Sequence, residues 1–305
     1  MCIQPNTPEY ERGMGELAAL TQQVASGAAT AKTFLDRAEW LQLMSEIAGA
    51  IRDYNRAFER RDELTNNQLA FLHVKRGVCY RRLARYEDAL VDLNQAIALK
   101  PETAYHWSCR GHVRYHQGEF EMALADLTTA IELDPEGDER SWEVRALCRQ
   151  ARDDHQAAID DLTYRLGMDV APSTMLYVYR AYSYMLLGRY DEALHDCLHG
   201  QQIDSHSGTF DLYRLFGHIR FARGEAGVAL GDFSKALALA PEVGELHLWR
   251  GLVFRALGDE ASAADDFTQF VQRHPDGAAQ ALFDLSQLFS SKAAPALQAP
   301  AAVAA

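Results

Sequence analysis

Two histidine pairs spaced one helical turn apart, His112/His116 and His195/His199, are the first residues whose spacing suggests chemistry. Side chains four apart on a helix share a face, so each pair can offer two imidazole nitrogens to one metal ion. Neither pair has an HExxH arrangement or a third ligand beside it, and chance pairing is expected among 11 histidines, so the sequence assigns no metal. Cys2 would lead the chain if Met1 were removed, but no glycine-rich β sequence follows to build a nucleophile site around it. Cys79, Cys109, Cys148 and Cys197 show no CxxC spacing and fall at helical packing positions, as small hydrophobes do. No GxGxxG, GxxxxGKS/T or GxSxG motif is present. The expectation is a protein without catalysis and without a cofactor.

A second set of charged residues recurs along the chain. Asp53, Asp92, Asp126, Asp161, Asp196, Asp232 and Asp266 each stand three residues after an alanine. Six of them have an arginine sixteen residues earlier: Arg37, Arg76, Arg110, Arg145, Arg180 and Arg250. A poorly solvated arginine without a partner is costly, so these residues are expected to form an Arg–Asp ladder inside the fold. An active site is normally unique, whereas this pair is repeated, which favours a structural role. Phe216 replaces the arginine before Asp232, leaving Arg214, Arg220 or Arg250 as its donor.

The elements that carry these residues follow from the repeat itself. The alanines before the aspartates (Ala50, Ala89, Ala123, Ala158, Ala193, Ala229 and Ala263) are 34 to 39 residues apart. Twelve residues before each sits a small residue (Ala38, Gly77, Gly111, Ala146, Ala181, Gly217, Gly251), and four before that a mostly bulky one (Phe34, His73, Trp107, Trp142, Tyr177, Tyr213, His247). Gly118, Gly188, Gly224 and Gly258 mark turns, and Pro101, Pro135, Pro241 and Pro275 end units, because proline cannot continue a helix interior. Each unit therefore reads as two short antiparallel helices. On His73, Arg76-Gly77, Tyr80, Ala89, Leu93 and Pro101, and on Trp107, Gly111, Ala123, Leu127 and Pro135, the chain resembles the tetratricopeptide repeat family. The resemblance implies an all-α solenoid, a right-handed superhelix of about seven hairpins starting near residues 31, 70, 104, 139, 174, 210 and 244 and running to 275. Residues 1–30 are expected to form an N-terminal segment with a weak helix, 276–291 a capping helix over the last hairpin, and 292–305 a disordered Ala/Pro-rich tail.

Composition narrows the partners. The net charge of −13 repels phosphate backbones and anionic lipid, so neither nucleic acid nor membrane is expected. No apolar run reaches the length of a membrane span, and Glu9, Glu11 and Glu16 are wrong for a signal peptide. The odd count of 5 cysteines fits a reducing, cytoplasmic setting. In the family that the chain resembles, the first helix of each hairpin lines a concave groove that binds partners. The stripe opposite the intra-hairpin packing face yields Lys75, Arg82, Tyr105, His112, His116, Tyr179, Tyr182, His218 and Trp249 as expected contacts: basic at one end, aromatic toward the middle. The Lys/Asn/Arg set with which some family members clamp a chaperone's C-terminal carboxylate is absent, since His112 and Tyr182 stand where an asparagine would be sought. The expected function is a non-enzymatic scaffold or adaptor that binds a protein or peptide segment with apolar anchors and acidic residues for Lys75, Arg81 and Arg82. Self-association, or gripping a folded enzyme partner as an accessory subunit, are the alternatives.

Overall fold

A computed structural model describes residues 8–168, 172–203 and 210–273, with side chains from residue 12 onward. Cys2, the segment Asp204–Gly208, Pro275, the expected capping helix and the Ala/Pro tail lie outside the described residues. Among those described there are fifteen α-helices, one short 3-10 turn and no strand. None of the helices is long and apolar enough to cross a membrane. The chain divides into two compact units, Met1–Cys148 and Arg149–Ala305.

The first unit holds α1 (Pro8–Ala25), α2 (Ala31–Leu43), α3 (Ile47–Glu59), α4 (Asn66–Arg82), α5 (Tyr86–Leu99), α6 (Ala104–His116), α7 (Phe120–Leu133) and most of α8 (Glu139–Gln150). Within it α2 packs on α3, α4 on α5 and α6 on α7. Successive hairpins meet through α3 on α4 and α5 on α6. The second unit holds α9 (His155–Gly167), α10 (Thr174–Leu186), α11 (Tyr190–Ile203), α12 (Phe210–Ala222), α13 (Ala226–Leu239), α14 (Gly244–Ala256) and α15 (Glu260–Arg273), paired in the same way as α10/α11, α12/α13 and α14/α15.

Side-chain size at the seam explains the pairing. Ala89, Leu93, Ala123 and Leu127 are wholly buried, as are Ala229 and Phe233 in the second unit. A Cβ added to Gly111 would lie 2.7 Å from Leu127 Cγ, and one on Gly217 would lie 2.8 Å from the Phe233 ring, so only a hydrogen fits between these helices. The 39-residue first interval is taken up by the 3-10 turn Arg61–Glu63 and by the 17-residue α4. That helix begins at Asn66, four residues earlier than the sequence suggests. The Thr65 hydroxyl accepts from the Gln68 N–H while the Gln68 side chain accepts from the Thr65 N–H, a reciprocal cap that starts the helix there.

Candidate binding surface

The recurring aspartates are buried, none more than 4% exposed, and each meets an arginine. Five are gripped by the arginine sixteen residues before, through Nε and Nη2: Arg37–Asp53, Arg76–Asp92, Arg110–Asp126, Arg180–Asp196 and Arg250–Asp266, all at 2.6–2.8 Å. Asp232, which has Phe216 sixteen residues before it, is reached instead from one turn further along the first helix, by Arg220 at 2.6 Å, and Arg149 reaches Asp161 from the same position at 2.8 Å. Asp126 has both, since Arg114 adds a third donor at 2.8 Å. Arg145 is buried, donates to Thr128 Oγ1 at 3.3 Å and lies 4.8 Å over the Trp142 ring. His73 and His247 add an Nδ1 contact of 2.8 Å to Asp92 and Asp266.

The remaining guanidinium nitrogen ties one hairpin to the one before it. Arg76 donates to Asn55 at 2.8 Å, Arg110 to Asn94 at 2.7 Å and Arg180 to Thr163 at 3.1 Å; each acceptor, like Thr128, sits two residues after an aspartate of the ladder. At the sixth hairpin the donor is Phe216 and the equivalent acceptor is Leu198, so both ends of that bond are apolar together. These groups are saturated by one another and offer no free valence for chemistry.

The first-helix face of the first unit differs, because its cations lack partners. Lys75 is the exception, with Nζ 3.1 Å from Glu39 and 5.0 Å over the Phe71 ring. Arg82 is exposed, and neither it, Arg81 nor Arg140 forms an ion pair among the described residues. His112 lies between these charges. Its Nε2 is enclosed and has no hydrogen-bond partner. Burial pushes its pKa down to about 4; Asp138 opposes this, while Arg81, Arg140 and His116 add to it. The exposed His116 stacks on Tyr86 at 6.1 Å; partial burial and Arg81 hold its pKa below the ordinary value. Tyr105 is 46% exposed and lines a cleft of about 350 Å³ with Phe71, Lys75, Lys100 and Thr103.

Asp138 fixes the approach to α8. It accepts a short hydrogen bond from the Ser108 hydroxyl, and the Ser141 hydroxyl is 3.1 Å from the same carboxylate oxygen. Asp138 does not stand out in the sequence as a contact. Arg140 occupies the stripe position held by Phe71 and Tyr105 in the hairpins before it, and that register puts it on this face.

In the second unit two expected contacts are corrected. His218 is 3% and Trp249 6% exposed, and their rings meet edge to face with centroids 4.3 Å apart. They fill the seam between α12 and α14 and present nothing to a partner. Tyr179 and Tyr182 remain half-buried. Tyr182 lies edge-on to His155 at 6.2 Å, and the Tyr179 carbonyl accepts from Gln150 Nε2 at 2.6 Å. Among the described residues no group of three or more His, Cys, Asp or Glu converges as a metal site.

Two profiles of the family described as Tetratricopeptide repeat match residues 77–141 and 214–278. A curated relative from Dictyostelium discoideum, a DnaJ homolog subfamily C member 7 homolog, is 28% identical over 196 residues. The match covers 60% of this chain and 35% of the relative, so the chain spans about a third of that protein's length. Among solved structures, a tetratricopeptide repeat protein from Parabacteroides merdae has a TM-score of 0.62 at 17% identity, covering 86% of this chain and 99% of its own. PilF of Pseudomonas aeruginosa has a TM-score of 0.60 at 13% identity, covering 72% and 99%. PilW, a type IV pilus biogenesis factor, has a TM-score of 0.63 at 14% identity, covering 71% and 99%. At these identities the structural likeness is one of fold. With helix pairs closed by small residues at every described seam, and with the family's pattern matched in both halves, the chain is a tetratricopeptide repeat protein of the all-α solenoid class.

Proposed function

We propose that this chain is a non-enzymatic cytoplasmic scaffold whose first unit binds an acidic segment of a partner protein along α4, α6 and α8. Tetratricopeptide repeat proteins mediate protein–protein interactions, and binding a protein segment is the coarse function that the family membership supports. The finer reading is carried by one observation: in a chain of net charge −13, Arg81 and Arg140 stand without ion pairs around His112, whose buried Nε2 lacks a partner. Carboxylates on a partner would supply the missing acceptors, while Tyr105 and Phe71 offer an apolar anchor in the adjoining cleft. Tyr179 and Tyr182 extend the same role to the second unit. The test is capture of a partner from the native cell by wild-type protein and by Arg81→Glu/Arg140→Glu, followed by titration of the captured partner. Charge reversal is expected to weaken binding by at least about tenfold with an unchanged helical signal, and affinity should fall as salt rises. Equal affinity of both proteins for that partner would refute the surface.

A further inference from the structure

His195 and His199 sit one turn apart on α11 of the second unit, and their side chains converge. The two Nε2 atoms are 3.2 Å apart, with ring centroids at 4.4 Å and planes inclined by 66°. His199 is held in this pose from the other side, its ring stacked on Tyr177 of α10 at 5.7 Å and 17°. At zinc–nitrogen distances of 2.0–2.1 Å, two ligands of a tetrahedral ion stand roughly 3.3–3.4 Å apart, whereas adjacent ligands of a square-planar ion stand roughly 2.8–2.9 Å apart. The observed separation matches the tetrahedral edge.

The surroundings suit a cation. The guanidinium nearest in the adjoining cleft, Arg180, has its charge matched by the bidentate Asp196 carboxylate. Asp191 and Glu192 line the same cleft, Glu192 paired with Arg189 at 2.9 Å. Asp191 continues the stripe one turn back from His195, but Arg223 holds it at 2.5 Å, so it is engaged elsewhere. We propose that His195 and His199 form a two-histidine site for zinc, with the remaining coordination positions taken by water. In the free protein the short N···N contact is a single hydrogen bond, one Nε2 donating and the other accepting. On binding, both rings take the Nδ1–H form, the donor's Nε2 proton passing to its own Nδ1 through solvent, and both Nε2 lone pairs go to the ion. Each ring carries one proton before and after, so the exchange balances without releasing a proton.

The second pair of identical spacing is an internal control. His112 Nε2 has no hydrogen-bond partner, and therefore no close contact with a His116 nitrogen; the His116 ring is committed to Tyr86. Spacing alone does not make the site; convergence of the nitrogens does.

Zinc chloride titrated into the full chain, purified without a histidine tag, tests the assignment by calorimetry and by competition with a chromogenic chelator. Wild type is expected to take up one ion at this site. Loss of one donor removes the chelate, so His195→Ala and His199→Ala should each weaken binding by about tenfold or more. The double variant His112→Ala/His116→Ala should bind as wild type does. His195 is exposed, so His195→Ala keeps the test decisive if His199→Ala loses its helical circular dichroism. Zinc uptake unchanged in His195→Ala would overturn the proposal, as would pair-dependent binding of copper(II) without zinc.

Discussion

An aspartate at 4% exposure or less is tolerable only to the extent that its oxygens are bonded, and the seven ladder aspartates are bonded unequally. Burial raises the pKa of Asp92, but hydrogen bonds from Arg76 and His73 outweigh it and leave the group below its ordinary value. Burial also raises Asp232, and there the Arg220 contact only partly offsets it, so the net shift is upward. The signs differ accordingly. Asp92 contributes stability above the ordinary carboxylate range, and that contribution is lost as pH falls through its lowered folded pKa. Asp232 opposes folding when ionised and is relieved as pH falls toward its raised one. Deleting donors should expose the same inequality. Arg220→Met leaves a buried carboxylate without its arginine and is expected to cost about 3 kcal/mol, whereas Arg114→Met leaves Arg110 on Asp126 and should cost about 1 kcal/mol or less. Urea denaturation of the two variants measures this, and equal costs would mean that Asp232 has a donor equivalent to Arg110. Adding Asp232→Asn to Arg220→Met should recover part of the loss, because the uncompensated charge is what is expensive.

At the scale of the helix pair, the turn between first and second helices has one conformation throughout. Ser45, Ala84, Gly118, Asp153, Gly188, Gly224 and Gly258 all have φ between 54° and 82°. The backbone explains it. The Gly118 N–H donates to the Tyr115 carbonyl and the Glu119 N–H to that of Arg114, a helix-end pattern that requires a left-handed residue; the Ala84 and Arg85 N–H groups make the same bonds to Arg81 and Tyr80. Four of these turns were legible because glycine marks them. Those at Ser45, Ala84 and Asp153 were not, since the hydrogen bonds of the helix end set the conformation whatever side chain stands there. Ala84 carries a strain of about 1 kcal/mol that glycine would relieve, so Ala84→Gly is expected to raise the melting temperature by a few degrees. A lower melting temperature would show that the entropy of the freed chain outweighs the strain. The start of α4 follows a related rule: the repeat period locates the seam residues, while the Thr65 cap, outside that period, decides where the helix begins.

Across the molecule, what one hairpin dictates was readable and what a neighbour dictates was not. The apolar spacing defines which helix faces its own partner, but each first helix also touches the first helix of the next hairpin, as α4 touches α6 and α10 touches α12. A single-hairpin register therefore placed His218 and Trp249 on a free face when they are packed in a seam, while the same register put Arg140 on a face where it is indeed exposed. The buried histidines give this lesson a global consequence. Burial, with Arg214 adding to it, pushes His218 down to about 3. The folded protein therefore keeps this ring neutral while the unfolded chain protonates it near pH 6.5. A lowered histidine pKa means that the unfolded state binds the extra proton first, so stability is intact above pH 6.5 and drains away as pH falls toward the folded value. For one such group the loss between pH 7 and pH 5 is about 2 kcal/mol. His218→Phe keeps a flat ring against Phe233 and Trp249 while removing the proton, so its urea midpoint should fall less over this interval, by an amount worth about 2 kcal/mol. His112, pushed down to about 4 by burial, adds a drain of the same sign that the variant leaves in place, so the slope should be reduced and not abolished. Parallel pH profiles for wild type and variant would mean that His218 is as easily protonated in the folded protein as in the unfolded one, and that the seam is open to water.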